Sequence, residues 1–134
     1  MPSLKKENFY SDNQSKISTH EKGAFGEDNA CSFLLSKGYE IIERNFRVRN
    51  GEIDIIALKG EYLVFVEVMS FLDGDIDTLA QELNEKKQKK IIKTSKIFLE
   101  KHRQYNSKYI RYDVIALNVK QLEAVHHIEN AFME

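Results

Sequence analysis

Three carboxylates, Glu52, Asp54 and Glu67, stand inside a stretch that is otherwise aliphatic, β-branched and aromatic. Residues 50–71 read as two apolar strands joined by a tight turn at Lys59-Gly60. Strand side chains alternate between faces, so Glu52 and Asp54 share one face. A two-residue turn sets Asp54 opposite residue 65 or 67 and brings Glu67 onto that same face. Acids that converge in a partly buried hairpin repel one another unless a cation or a proton sits among them. The chemistry this points to is divalent-metal binding; the alternative is the solvated polar face of an antiparallel sheet.

A fourth acid has the same character. Ser18 and Glu21 resemble a capping box, and Gly38 makes a helix stop, giving a first helix over roughly residues 20–37. At about 100° per residue, Ala24, Glu27, Ala30, Cys31, Leu34 and Leu35 fall on one stripe. Glu27 sits in the middle of that stripe, where an unpaired charge is costly. Cys31, on the same stripe, is a core residue by its position.

Charge is strongly partitioned along the chain. Between Glu52 and Glu85 the acids are opposed only by Lys59, whereas from Lys86 to Arg103 the run of Lys and Arg is opposed only by Glu100. An acidic centre beside a basic helix suits a metal-dependent phosphodiester enzyme, and also suits ordinary solvated surface. The net charge of -1 gives no nucleic-acid signal by itself. On the second helix, expected over Leu79–Arg103, the apolar stripe carries Ile91, Ile92, Ser95, Phe98, Leu99 and His102, and Lys87 lies beside it. Lys87 is therefore the lysine best placed to reach whatever the helix covers.

The elements that must position these groups follow from the remaining pattern. Tyr39–Val48 reads as a strand, and Asn50-Gly51 as its hairpin turn. Asp73 to Thr78 reads as an acidic loop, Arg111–Leu117 as a fourth strand and Leu122–Ile128 as a fifth, turning near residues 118–121. A helix between the third and fourth strands implies a right-handed parallel crossover and a mixed α/β (α+β) sheet with helices on its faces. Residues 1–17 are polar and aperiodic and read as a flexible arm, leaving one domain over 18–134. One cysteine excludes an internal disulfide and suggests a reducing, cytoplasmic setting, and no apolar run has the length of a membrane span. His126-His127 sit on a strand and point to opposite faces, which does not make a zinc site. Tyr105, Tyr109 and Tyr112 read as strand-edge core, with base stacking as the alternative use.

Several motifs follow one another in a recognisable order: Gly23-x-x-Gly26-Glu27-x-x-Ala30, Gly38-Tyr39, Arg44-Asn45, Gly51-Glu52-Ile53-Asp54 and Val64-Phe65-Val66-Glu67-Val68. Lys87-Gln88, Arg111-Tyr112-Asp113-Val114 and Ile128-x-x-Ala131-Phe132 complete the set. Over residues 20–132 the chain resembles the bacterial UPF0102, or YraN-like, family of small endonuclease-like proteins. That family is similar in fold to archaeal Holliday-junction resolvases and other PD-(D/E)xK nucleases, with an αβββαββ, restriction-endonuclease-like core. The resemblance implies a Mg²⁺ or Mn²⁺ site in which Asp54 and Glu67 are the motif acids, the carbonyl of Val68 is a further ligand, Glu27 approaches from the first helix and Glu52 supports. It implies DNA as partner, with RNA as the second candidate, and a homodimer by analogy with junction-cutting relatives. Arg44, Arg47, Arg49, Lys86, Lys90 and Lys93 are the candidates for phosphate contacts.

The chain departs from the motif where the motif places its lysine. That position is Met69, and Phe71 stands where the family often has arginine. A thioether cannot supply the positive charge; Lys87 is the candidate to bring it from the helix, as some nucleases of this fold do, and it also matches a lysine that the family carries in addition to the one on the strand. Three functions remain open at this level: a nuclease with a rewired site, a catalytically weak nucleic-acid-binding protein, and a protein-interaction module using the acidic loop and basic helix.

Overall fold

A computed structural model describes residues 19–71 and 74–134; the expected N-terminal arm and the Ser18 end of the capping box lie outside these residues, as does Asp73. In chain order the elements are α1 (Thr19–Ser36), β1 (Glu40–Val48), β2 (Gly51–Lys59), β3 (Tyr62–Ser70), α2 (Ile76–Glu82), α3 (Glu85–Lys101), a 3₁₀ turn (Arg103–Tyr105), β4 (Tyr109–Leu117) and β5 (Val125–Phe132). The five strands form one mixed sheet whose spatial order is the chain order. Neighbours are antiparallel except β3 and β4, which the α2–α3 crossover makes parallel, as expected.

Both hairpin turns sit one residue away from their expected positions. Val48 pairs with Gly51 and Lys59 with Tyr62, so the turns are Arg49-Asn50 and Gly60-Glu61. The Asn50-Gly51 signal misleads because Gly51 serves packing. A Cβ on Gly51 would collide with the Thr94 hydroxyl of α3, so the bare glycine lets the helix lie close on β2.

The expected acidic loop and single long helix are instead two helices. Asp75 caps α2, accepting from the Thr78 N–H at 3.0 Å and its hydroxyl at 3.1 Å. Asn84 caps α3, accepting from the Lys87 N–H at 2.9 Å. Such side chains satisfy the unpaired N–H groups of a first turn, so helical composition on both sides of Asn84 does not merge into one rod. β5 begins at Val125 rather than Leu122 and runs through Ala131-Phe132, which carries the chain end into the sheet.

Helices cover both faces. Phe65, Met69, Ile91, Phe98, Tyr112 and Val114 belong to the core on the α2–α3 side, and Ala30, Cys31, Leu34, Val64, Val66 and Ile115 to the core under α1. Cys31 is buried as expected, and burial pushes its thiol pKa up. Leu35 departs from the expected stripe, 58% exposed at its margin, while Phe33 packs against the α1-side core instead. Of the three tyrosines, Tyr112 is buried and Tyr105 stacks on Phe98, but Tyr109 is 66% exposed. On β4's first residue it lies beyond the cover of either core.

Gly51→Ala is expected to lower unfolding free energy by about 1–3 kcal/mol through overpacking, and Thr94→Ala in that background to recover much of the loss. Urea denaturation of the single and double variants measures both.

Candidate active site

The site is built where β2 parts from β3. Their ladder ends with Ile55 opposite Val66. Beyond that rung the Asp54 side chain takes over the ladder's role, and the Val68 N–H donates to Asp54 Oδ2 at 2.8 Å. On the other flank, Arg44–Ile55 and Phe46–Ile53 bracket Asn45, whose φ of 54° is left-handed. Asparagine tolerates that conformation better than most residues. Strict alternation breaks here: Ile53 and Ile56 both join the α2–α3-side core, while Ile55 faces α1. Asp54 therefore lies at a roll in the strand, within reach of groups from both layers.

From α1 comes Glu27, 6% exposed. Its neighbour Gly26 allows the approach, since a Cβ there would press to 3.2 Å from Leu117 Cδ1. Glu27, Glu52 and Asp54 each offer a carboxylate oxygen within 4.8 Å of the others. Glu27 Oε1 is buried and has no hydrogen-bond partner among the described residues. Arg44 Nη2 stands 3.7 Å from it but is bonded to Asp28 Oδ1 at 2.8 Å. Three converging carboxylates, one of them carrying a buried oxygen without a hydrogen bond among the described residues, are a donor set that fits a hard divalent cation such as Mg²⁺ or Mn²⁺.

From the α3 side comes Lys87. Its Nζ lies 2.8 Å from Glu67 Oε2, whose side chain is 11% exposed. Burial alone would lower the Lys87 pKa, but Glu67 and Asp54 beside it hold it above the ordinary lysine range. Asp54 shows the opposite balance. Burial, then the Glu67 charge, then Glu27 push its carboxyl up to about 8 against the pull of the Val68 N–H. Glu67 is thus engaged with Lys87 and Asp54, while Glu52, expected only to support, belongs to the converging trio.

A cleft of about 740 Å³ opens on these groups, lined by Glu52, Asp54, Glu67 and Lys87 and, around them, Arg47, Arg49, Lys90 and Ile91. Arg47 Nε is 3.4 Å from Glu52 Oε2. The other expected phosphate contacts lie outside that lining: Arg44 is held by Asp28, and Lys86 and Lys93 are exposed along α3. Met69 is 4% exposed in the core that includes Phe65 and Leu79. The motif lysine's position is therefore packed with hydrocarbon, and an ammonium group reaches Glu67 from the helix.

Sequence reasoning gave Asp113 no role. It is fully buried, accepting from Arg111 Nε at 2.9 Å, Arg111 Nη2 at 2.8 Å, His127 Nε2 at 2.7 Å and the Asn130 N–H at 2.9 Å. Burial would raise its pKa, but the bonds from His127, Arg111 and Asn130 hold it below the usual carboxylate range. His126 turns the other way, to Glu123 Oε1 at 2.5 Å.

A mixed five-stranded sheet, helices on both faces and an acidic cluster at a strand divergence define an α+β protein consistent with a restriction-endonuclease-like core. Residues 26–117 match the model of the family described as "Uncharacterised protein family UPF0102", and the chain belongs to that family. It is 43% identical over 121 residues to a UPF0102 protein of Treponema denticola, covering 82% of this chain and 93% of the relative. With a UPF0102 protein of Clostridioides difficile it shares 40% identity over 116 residues, 87% of this chain and 100% of that one. A UPF0102 protein of Prosthecochloris aestuarii is 42% identical over 122 residues, 84% and 94% of the two chains. No helix among the described residues is long and apolar enough to cross a membrane.

The raised Asp54 pKa makes stability pH-dependent. Between the ordinary aspartate pKa and about 8 the folded state holds a proton that the unfolded chain has lost, so metal-free stability falls as pH rises through that window. Asp54→Asn is expected to unfold at higher temperature than the parent at pH 8 in a chelator, with the gap closing near pH 4. Equal melting temperatures at pH 8 would contradict this.

Proposed function

We propose that this protein is a metal-dependent nucleic-acid endonuclease, with DNA as the principal substrate, whose catalytic ammonium is supplied by α3. The observation that carries the reading is the joint placement of Lys87 on Glu67 and of the unpartnered Glu27 oxygen beside Asp54. Glu27, Glu52 and Asp54 would hold Mg²⁺ or Mn²⁺, with Glu67 and the Val68 carbonyl adjoining. Such an ion polarises a phosphate and lowers the pKa of an attacking water.

The chain's own groups have separable tasks. The Val68 N–H fixes the orientation of Asp54. Glu67 holds Lys87 at the cleft wall, where its charge stabilises negative charge developing on phosphate. Arg47, Arg49 and Lys90 line the same cleft and would grip the phosphate backbone, which positions a substrate without reading its sequence. Burial of Met69 in the position of the motif lysine favours a second reading, in which the protein binds nucleic acid without cutting it.

The test incubates the protein and end-labelled flap, junction and single-stranded DNA with Mg²⁺ or Mn²⁺. Cleavage is expected, abolished in Asp54→Ala and reduced about 10²–10³-fold in Lys87→Ala. Mg²⁺ should also raise the melting temperature of the parent at pH 8 and leave Asp54→Asn unmoved. Salt-dependent binding without cleavage would establish the second reading; cleavage at the parent rate by Asp54→Ala would reject the site.

A further inference from the structure

β3 and β4 start side by side, at the end of the sheet away from the acidic cleft. Asp54 and Lys59 lie five residues apart on β2, roughly 16 Å at ordinary strand rise. At the first rung of the parallel pair Tyr62 meets Tyr109, their ring centroids 5.6 Å apart. Both rings face solvent, 42% and 66% exposed. By strand alternation they share the face of Val64, Val66 and Ile115, which α1 covers further along. α1 ends at Ser36, short of the two tyrosines, which stay partly open to solvent.

The pair is backed by a fixed cation. The Arg111 guanidinium lies 5.4 Å from the Tyr62 ring centroid and 5.9 Å from that of Tyr39. It cannot swing away, because Asp113 holds it through Nε and Nη2, and Nη2 also donates to the Tyr39 hydroxyl at 2.6 Å. Beside it is a cavity of about 550 Å³ whose walls include Lys37, Tyr39, Lys59 and His127 and also the acids Glu123 and Glu129, the latter 3.7 Å from Arg111 Nη1. The His127 side chain is nine-tenths buried, with Nε2 2.7 Å from Asp113 Oδ2 and its ring packed edge-on by Phe33 and Tyr39.

We infer that this end of the sheet is a binding site for single-stranded nucleic acid, in which bases stack on Tyr62 and Tyr109, and Lys37 and Lys59 meet the phosphates. Exposed rings interleaved with cations bind single strands in a sequence-tolerant way, because every base has a π-face. The buried Asp113 makes the arrangement rigid, so little order is lost on binding. The cavity beside the rings is large enough for a base. The inference rests on the reading that the protein acts on nucleic acid, and it specifies the substrate as one with an unpaired strand.

The test is fluorescence anisotropy with a labelled oligothymidine of about 20 nucleotides and a duplex of equal length, in chelator so that nothing is cut. Tyr62→Ala/Tyr109→Ala is expected to weaken oligothymidine binding at least tenfold and duplex binding much less, while Tyr109→Phe stays near the parent. Thermal unfolding of each variant verifies its fold. Affinity of the double variant within twofold of the parent, or no oligothymidine binding by the parent, overturns the inference; a patch that serves a protein partner gives the first of these results. The two readings separate cleanly. Tyrosine-dependent binding without metal-dependent cleavage leaves this site standing and removes the nuclease, and cleavage with tyrosine-independent binding does the reverse.

Discussion

Asp54 is the point at which the energetic demands of the molecule meet. Its carboxylate is largely withdrawn from water, faces Glu67 and Glu27, and receives one backbone hydrogen bond, from Val68. Desolvation and like charges both oppose ionisation, and a single N–H does not cancel them. The surrounding fold keeps that carboxylate in place. Gly26 lets α1 close on the sheet, Gly51 lets α3 close on β2, and the left-handed Asn45 accompanies the roll of the strand. Lys87 supplies a compensating charge, although it is bonded to Glu67, and the buried Glu27 oxygen has Arg44 at 3.7 Å and no hydrogen bond among the described residues. A protein that selects such an arrangement accepts instability at this position, as functional sites commonly do.

The parts of this design that depend on simple periodicity were legible before any coordinates. Two-residue alternation put Asp54 and Glu67 on one face, and the 100° rotation of a helix put Glu27 on a buried stripe and Lys87 next to one. A helix between strands three and four required a parallel pair. What could not be read depends on contacts between distant segments. Gly51 looks like a turn residue until Thr94 is seen above it. Nothing local to β1 says that Asn45 turns left-handed, and so nothing says that Glu52 comes within reach of Glu27. Asp113 stands in an ordinary strand pattern; its bonds come from Arg111 on the same strand and from His127 and Asn130 on the next. Asn84 was visible as a residue, but its capping role shows only where one helix stops and another starts.

Met69 and Lys87 divide the surroundings of Glu67 between hydrocarbon on the strand and an ammonium on the helix. The strand position after Glu67 on the same face is absorbed into the core, whereas the helix presents its ammonium to the same carboxylate. The consequence is a coupling between helix docking and electrostatics. Any displacement of α3 changes the distance of Lys87 from Glu67, whereas a lysine on the strand would be indifferent to the helix. Membership of UPF0102 places the chain among relatives of similar length and leaves this arrangement to be understood from the residues themselves.

The parallel pairing of β3 with β4 has a kinetic side. Tyr62 and Tyr109 occupy the same rung although the whole α2–α3 crossover lies between them in the chain, so this pairing closes a long loop and its entropy must be met before its contacts form. The β1–β2–β3 meander, joined by two-residue turns, has no such requirement and can assemble from neighbours in sequence. Glu67 belongs to that meander, whereas Lys87 arrives with the crossover. An early, locally folded sheet would thus carry Glu67 without Lys87, and the step that seats α3 both completes the core and brings that ammonium to Glu67.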